Sequence, residues 1–241
     1  MRQADGDTTS QDSESELDEV LAELEGAKNY KAWVLELLRP FIKGHILEIG
    51  AGRGTYAREL RGLGQSLTAV EPSARLIPPL RQQLTGLSGV TVINGTLIDV
   101  ADTHFDTAVM LNVLEHVEDH RSLLAGISNR LAPGGTVCIW VPAFPSLFGE
   151  FDRLVGHCRR YRKRDLESLL VTSGFTIIES RYANLPGFFA WWLIVRLLRA
   201  KPTASHLSTI YDRWFIPAIR AVEKRIKPPL GQSLFVVARR A

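Results

Sequence analysis

Cysteine is scarce in this chain: among 241 residues only Cys138 and Cys158 occur. Two thiols give no disulfide framework, which points to a reducing compartment. Long apolar runs are missing as well. No stretch of about 18 uncharged apolar residues appears, so no membrane-spanning helix is expected. The opening residues, MRQADGDTTSQDSESE, lack the apolar core of a signal peptide, and a cytoplasmic location is the expectation. The sequence shows no metal-ligand spacing, so no metal is expected. No internal repeat is visible.

What is present fits one globular domain. A length of 241 residues with 45% hydrophobic side chains can bury a sizeable core. The net charge of +3 hides an asymmetry. Residues 1–25 carry nine acidic side chains against Arg2 alone, whereas residues 153–241 carry 17 Lys/Arg and five Asp/Glu. The basic third is either a solvated face or a surface for an anionic partner: a phosphate-bearing substrate, a membrane surface or a nucleic acid. Residues 1–16 read as a disordered acidic tail, and 17–241 as the domain. Within it, N-terminal helices are expected over 17–43, where Leu17, Val20, Leu21 and Leu24 recur at helical spacing.

Strands and helices then alternate. HILEIG, SLTAVEP, VTVING, FDTAVMLNV, TVCIWVP, FTIIESRYA and SLFVVARR read as seven strands. Helices are expected over Thr55–Leu63, over Ser73–Leu84 with a kink at Pro78 and Pro79, through HRSLLAGISNRLAPGG, and over RDLESLLVTSG, capped at Gly174. The alternation predicts an α/β fold: a Rossmann-like, mainly parallel sheet with helices on both faces.

The first strand runs into three glycines. Gly50, Gly52 and Gly54 form Gly-x-Gly-x-Gly, and the third position of a dinucleotide fingerprint is Thr55 instead. Bare backbone there lets a ligand approach without a Cβ in the way. Glu48, two residues before the first glycine, suits a ligand with positive charge. Glu71 ends the second strand, where a carboxylate can accept from both hydroxyls of a ribose.

On the motifs LEIGAGRGT, VEPS, NGT, FDTAVMLNVLEHVEDH and LAPGGTVCIWVP, in that order, the sequence resembles the class I S-adenosylmethionine-dependent methyltransferases. The resemblance implies a seven-stranded sheet whose last strand is antiparallel, S-adenosylmethionine as cofactor and S-adenosylhomocysteine as product. It implies that Glu48, Gly50, Ala51, Gly52 and Gly54 hold the methionine part of the cofactor, and that Glu71 and Pro72 lie at the ribose. Gly95 and Thr96 would lie beside the adenine, and Asn112 near the methionine end. Thr96 stands where many members have aspartate. Tyr30 and Trp33, ahead of the first strand, either cover the cofactor or pack their helix on the core. The carboxylate cluster of the metal-dependent catechol branch is not evident.

Methyl transfer needs an acceptor aligned behind the methyl, and a base where the acceptor carries a proton. His157, in GHCRRY, and His116, in LEHVEDH, are the candidate bases. Tyr161 and Arg160 are candidates to orient the acceptor, and Asp152 is a further base. Between the sixth and seventh strands, residues 185–231 form an unusual helical insertion. Its first part, 185–199 with Arg196 and Arg199, ranks first as a pocket lid, then as a membrane-surface contact, then as a contact between two copies.

These features favour a methyltransferase acting on a small or medium-sized, partly apolar acceptor, which could be peptide-like or lipid-like. Such an acceptor fits natural-product, peptide-antibiotic or glycolipid biosynthesis. A nucleic-acid partner is disfavoured, because the fourth strand leads into NVLE and not Asn/Asp-Pro-Pro-aromatic. An RNA methyltransferase and a non-catalytic cofactor-binding protein are the alternatives.

Overall fold

The structure, a computed structural model, describes residues 26–101, 104–193 and 209–241. Its centre is one seven-stranded sheet. The strands are β1 (His45–Ile49), β2 (Ser66–Glu71), β3 (Val90–Asn94), β4 (Phe105–Leu111), β5 (Leu131–Pro142), β6 (Phe175–Ala183) and β7 (Ser233–Arg240). They lie in the order β3-β2-β1-β4-β5-β7-β6. β1 to β5 pair in parallel, and β7 runs antiparallel between β5 and β6. All seven strands fall where their apolar runs predict, and the fold is Rossmann-like.

Eight helices surround the sheet among the described residues: α1 (Lys28–Leu38), α2 (Ala57–Leu63), α3 (Ile77–Gln83), α4 (His120–Arg130), α5 (Glu150–Leu154), α6 (Lys163–Thr172), α7 (Leu185–Trp192) and α8 (Ile216–Glu223). The two-residue period of β5 sorts them into layers. Val137, Ile139 and Val141 point into a core with Leu124 and Ile127 of α4 and Leu166 and Leu170 of α6. Cys138 and Trp140 point the other way, into a core with Trp33 and Leu38 of α1, Leu60 of α2, Leu80 of α3 and Ile219 of α8. Both sheet faces are therefore covered, as a parallel sheet requires.

Three helices differ from expectation. The helix expected through HRSLLAGISNRLAPGG ends at Arg130, and residues 131–135 already belong to β5. The helix expected over Ser73–Leu84 is split into a 3₁₀ turn, Ala74–Leu76, and α3. Pro78 and Pro79 sit in the first turn of α3, where a missing N–H breaks no helical bond, so no kink arises. The glycine bend also runs further than expected, and α2 starts at Ala57, not Thr55. Leu17, Val20, Leu21 and Leu24, residues 1–16, and Arg196 and Arg199 lie outside the described residues. The described part of the insertion folds as α7, a π turn over Tyr211–Phe215, and α8.

The sheet positions the site. β1 has β2 on one side and β4 on the other, so the strand order reverses there, and sheets of this kind bind ligands outside the carboxyl ends at such a point. Backbone strain gathers on this same edge. The three non-glycine residues with positive φ are Asn112 (53°), Phe144 (61°) and Asn184 (65°), among the described residues. They follow β4, β5 and β6 respectively, and strain of this kind persists where the surroundings over-determine it.

Candidate active site

The bend after β1 is fastened to β2. Gly50 and Ala51 donate their N–H groups to the Val70 carbonyl at 2.9 and 3.0 Å. Gly52 donates its N–H to Glu71 Oε2 at 2.8 Å, and Ser73 donates to Glu71 Oε1 at 2.8 Å. Gly50, Gly52 and Gly54 have φ of 68°, 57° and 87°, the left-handed region that explains three glycines in five residues. A Cβ on Gly52 would meet nothing within 4 Å, so open space lies in front of the bend.

Glu48 is 4% exposed, and its Oε2 has no hydrogen-bond partner. Burial, then the nearby Glu59 carboxylate, push its pKa up to about 8, against the pull of Lys31. Lys31 offsets this only in part, because its ammonium pairs with Glu59 at 2.8 Å. A buried carboxylate oxygen without a partner is costly unless a cation or donor arrives from outside. Glu71, 5% exposed, keeps free lone pairs on both oxygens beyond its two backbone bonds. An ammonium near Glu48 and a ribose near Glu71 therefore fit the S-adenosylmethionine that the resemblance implies.

Gly95 donates to the Glu71 carbonyl at 3.0 Å, which sets the β3 loop beside the Glu71 carboxylate. The Thr96 N–H and hydroxyl both donate to Asp99 Oδ2, at 2.8 and 3.3 Å. Asp99 thus brings a carboxylate to the loop in which Thr96 replaces aspartate. Asn94 Nδ2 donates to the Pro72 carbonyl at 3.1 Å. Asn112 is exposed on the carboxyl edge, its N–H fixed by the Trp140 carbonyl at 2.8 Å. Tyr30 is half-buried; its hydroxyl accepts from Trp140 Nε1 at 3.1 Å and lies 3.2 Å from Ser233 Oγ. Trp33, 1% exposed, packs edge-on to Tyr30 and Trp140. Both aromatics therefore anchor α1 on the sheet.

A second cluster forms where the segment after β5 folds back. Tyr161 donates its N–H to the Pro142 carbonyl, Phe144 donates to the Tyr161 carbonyl, and Cys158 donates to the Glu115 carbonyl at 2.7 Å. These bonds bring His157 against the turn after β4. The His116 and His157 rings meet edge to face, 4.7 Å apart. His157 Nδ1 lies 2.7 Å from Asp152 Oδ1, and Nε2 lies 3.8 Å from Glu115 Oε1. Asp152 also accepts from Arg160 Nε at 2.7 Å and from the Gly149 N–H at 2.9 Å. Burial alone would raise the Asp152 carboxyl, but the His157 and Arg160 hydrogen bonds outweigh it and hold the pKa below the usual value.

His116 keeps solvent access, but partial desolvation of its ring, and then His157, lower its pKa to about 4, which favours the neutral form. Its Nδ1 lies 3.2 Å from the Gly156 carbonyl, which can only accept, so Nδ1 carries the hydrogen and Nε2 the lone pair. Glu115 is fully buried, with both carboxylate oxygens unpartnered, and burial raises its pKa to about 8.

Tyr161 is the correction. It is 4% exposed; its hydroxyl donates to the Leu114 carbonyl at 3.1 Å, and His120 Nδ1 lies 2.9 Å away. The phenol is buried and clamps two loops, so its hydroxyl is taken up by protein partners. Sequence reasoning missed Glu115, whose role depends on a loop folding back from after β5.

A Rossmann-like sheet, a left-handed glycine bend and two buried carboxylates at its switch point define a nucleoside-binding α/β protein. Residues 21–180 match the family described as Methyltransferase domain, and the chain belongs to that family. The chain is 32% identical over 104 residues to the mitochondrial ubiquinone biosynthesis O-methyltransferase of Schizosaccharomyces pombe, covering 39% of this chain and 36% of the relative. It is 26% identical over 149 residues to the O-methyltransferase resE of Aspergillus sclerotiorum, covering 56% of each. These matches span 36% and 56% of the two curated relatives. Among solved structures, the N-methyltransferase NodS of Bradyrhizobium japonicum, in complex with S-adenosyl-L-homocysteine, superposes with a TM-score of 0.59 at 17% identity. That superposition covers 88% of this chain and 86% of NodS.

Proposed function

We propose that this protein transfers a methyl group from S-adenosylmethionine to a small or medium-sized, partly apolar acceptor. The observation that carries the reading is the pair of buried carboxylates, Glu48 and Glu71, on either side of an open glycine bend. Bound there, the cofactor supplies a methyl group already activated by its sulfonium. Glu48 takes the ammonium of the amino-acid end, and Glu71 takes the ribose hydroxyls. Gly95 and Thr96 flank the base, and Asn112 borders the methionine end.

On the acceptor side, His157 is the group that receives the acceptor's proton, with Asp152 fixing its ring. The neutral His116 borders the same space. The described start of the insertion, α7, acts as a lid. Trp191 of α7 donates its indole N–H to the Leu147 carbonyl at 3.2 Å and packs on Phe151 and over Arg160. Phe188 of the same helix packs on Phe144. These contacts roof the segment after β5 with aromatic surface, which suits an apolar acceptor and excludes water. The O-methyltransferase names of the two curated relatives support an oxygen acceptor on a small molecule. A place in natural-product or glycolipid biosynthesis fits that acceptor. On α7, Phe189 and Trp192 remain exposed, and they suit a secondary contact with a membrane surface or a second copy.

The test is incubation with isotopically labelled S-adenosylmethionine and a metabolite library, read by mass spectrometry, beside calorimetry with S-adenosylhomocysteine. Micromolar product binding together with a labelled small molecule is the expected result. Tight product binding without any labelled acceptor would leave a non-catalytic binding protein, and labelled RNA alone would move the activity to nucleic acid. Full activity of His157→Ala on the identified acceptor would remove His157 from proton transfer.

A further inference from the structure

From the juxtaposition of Glu115, His116 and His157 we infer a binding site for a borderline divalent transition-metal ion of the zinc or ferrous type. One donor atom from each residue lies within 4.8 Å of the other two. Two imidazoles and one carboxylate, with further positions open, form the ligand set such ions take at sites that also accept a substrate.

Three independent features of these side chains point the same way. The Glu115 carboxylate is fully buried, and neither oxygen makes a hydrogen bond to another residue; Arg160 acts on it only through space. A buried carboxylate is strongly disfavoured without a counter-charge; the Arg160 guanidinium is already paired with Asp152, and an arriving cation supplies the missing charge. Each histidine is also oriented by its far nitrogen. His157 Nδ1 is held by Asp152 Oδ1 at 2.7 Å, and His116 Nδ1 by the Gly156 carbonyl at 3.2 Å. A ring whose Nδ1–H is spent on a carboxylate or carbonyl presents the Nε2 lone pair, which is how metal-ligating histidines are fixed. Asp152 is itself locked by Arg160 and the Gly149 N–H, so the support extends one layer further. Finally, Glu115 Oε1 and His157 Nε2 are 3.8 Å apart, too far for a hydrogen bond. Two ligands each roughly 2.1 Å from a shared tetrahedral ion stand about 3.4 Å apart, so these donors, all within 4.8 Å of one another, draw closer as the ion binds.

The exposure of His116 leaves the site open to the acceptor side. With the ion in place, the His157 lone pair is a ligand. A hydroxyl coordinated to the ion then loses its proton to water more readily, as metal-bound water does. Without the ion, His157 takes that proton directly.

The test uses the full chain, stripped with a chelator and dialysed, then titrated with Zn²⁺ alone by calorimetry and with Co²⁺ by visible absorption. The expected result is one ion per chain and a Co²⁺ spectrum of low-symmetry coordination with nitrogen ligands. His157→Ala and Glu115→Gln are expected to weaken binding at least 100-fold. Asp152→Asn is expected to weaken it about 10–100-fold through lost orientation. His104→Gln should leave binding unchanged. Circular dichroism and S-adenosylhomocysteine binding establish that each variant is folded, and this readout is independent of methyl transfer. The inference is overturned if the wild-type chain binds no stoichiometric ion, if its Co²⁺ spectrum is that of the hexaaqua ion, or if folded His157→Ala binds as tightly as wild type.

Discussion

The N–H of Gly52 points at Glu71 Oε2 across 2.8 Å, so the bend after β1 is closed by the residue that ends β2. The other oxygen holds the Ser73 N–H at 2.8 Å. Glu71 therefore shapes the cradle and presents acceptors to the ligand. Hydrogen bonds to a charged group contribute about 1.5–3 kcal/mol. Glu71→Ala should weaken S-adenosylhomocysteine binding about 10–100-fold by calorimetry, with Glu71→Gln intermediate. An unchanged dissociation constant in Glu71→Ala would refute the assignment.

Glycine substitutions separate shape from binding. Alanine at Gly50 or Gly52 forces a side chain into the left-handed region, at a cost of about 1–2 kcal/mol. At Gly50 the new methyl would also lie 2.5 Å from Val113 Cγ2, whereas at Gly52 it meets only open space. Gly50→Ala should therefore lower Tm more than Gly52→Ala. Gly52→Ala should fold yet lose cofactor affinity, because its methyl fills the cradle. Thermal unfolding beside calorimetry checks both, and normal affinity in Gly52→Ala would count against a ligand over this bend.

Much of this was legible in the sequence because it is local. Short apolar runs mark all seven strands, and a glycine cluster between carboxylates marks the switch point. What was not legible depends on chain segments meeting. Glu115 gains its meaning only when His157 folds back through the Cys158 N–H bond to its carbonyl. Tyr161 looked like a cleft residue because its neighbours are polar, but its ring packs in the sheet core and its hydroxyl finds Leu114. Pro78 and Pro79 suggested a kink because sequence alone does not show where a new helix begins. The hydroxyl of Tyr30 is taken up by Trp140 and Ser233, partners more than a hundred residues away.

Glu48 links cofactor binding to stability with a definite sign. Its pKa stands near 8 in the folded chain, above its ordinary 4.5. The folded state thus holds this proton more tightly than the unfolded chain. The corresponding stability is fully present below about pH 4.5 and is lost as pH rises through about 8. In the ligand-free protein, Glu48→Gln should match wild type at pH 5 and exceed its Tm at pH 8–9. The same variant should bind S-adenosylhomocysteine about 10–100-fold more weakly, having lost the anion that meets the ammonium. Thermal scans across pH, with calorimetry at pH 7.5, measure both effects. A Glu48→Gln protein that keeps full affinity would remove Glu48 from the site.

The insertion also caps the first helix. Ala27, at the N-cap of α1, offers no side-chain acceptor. Asp212, 8% exposed in the π turn, supplies one instead: Oδ2 accepts the Asn29 N–H at 3.1 Å, and Oδ1 accepts the Tyr30 N–H at 2.8 Å. Lys224 pairs with Glu36 at 2.6 Å one helix further on, and Arg220 bonds the same carboxylate. Removing an N-terminal cap costs about 0.5–2 kcal/mol. Asp212→Ala should lower Tm by a few degrees and speed amide exchange at Asn29 and Tyr30 at least tenfold, with Asp212→Asn milder. Because the lost bonds lie between the insertion and α1, protection in β4 and β5 should stay at the wild-type level. Unchanged exchange at Asn29 and Tyr30 would show that α1 holds its first turn without the insertion, and that the two elements do not move as one.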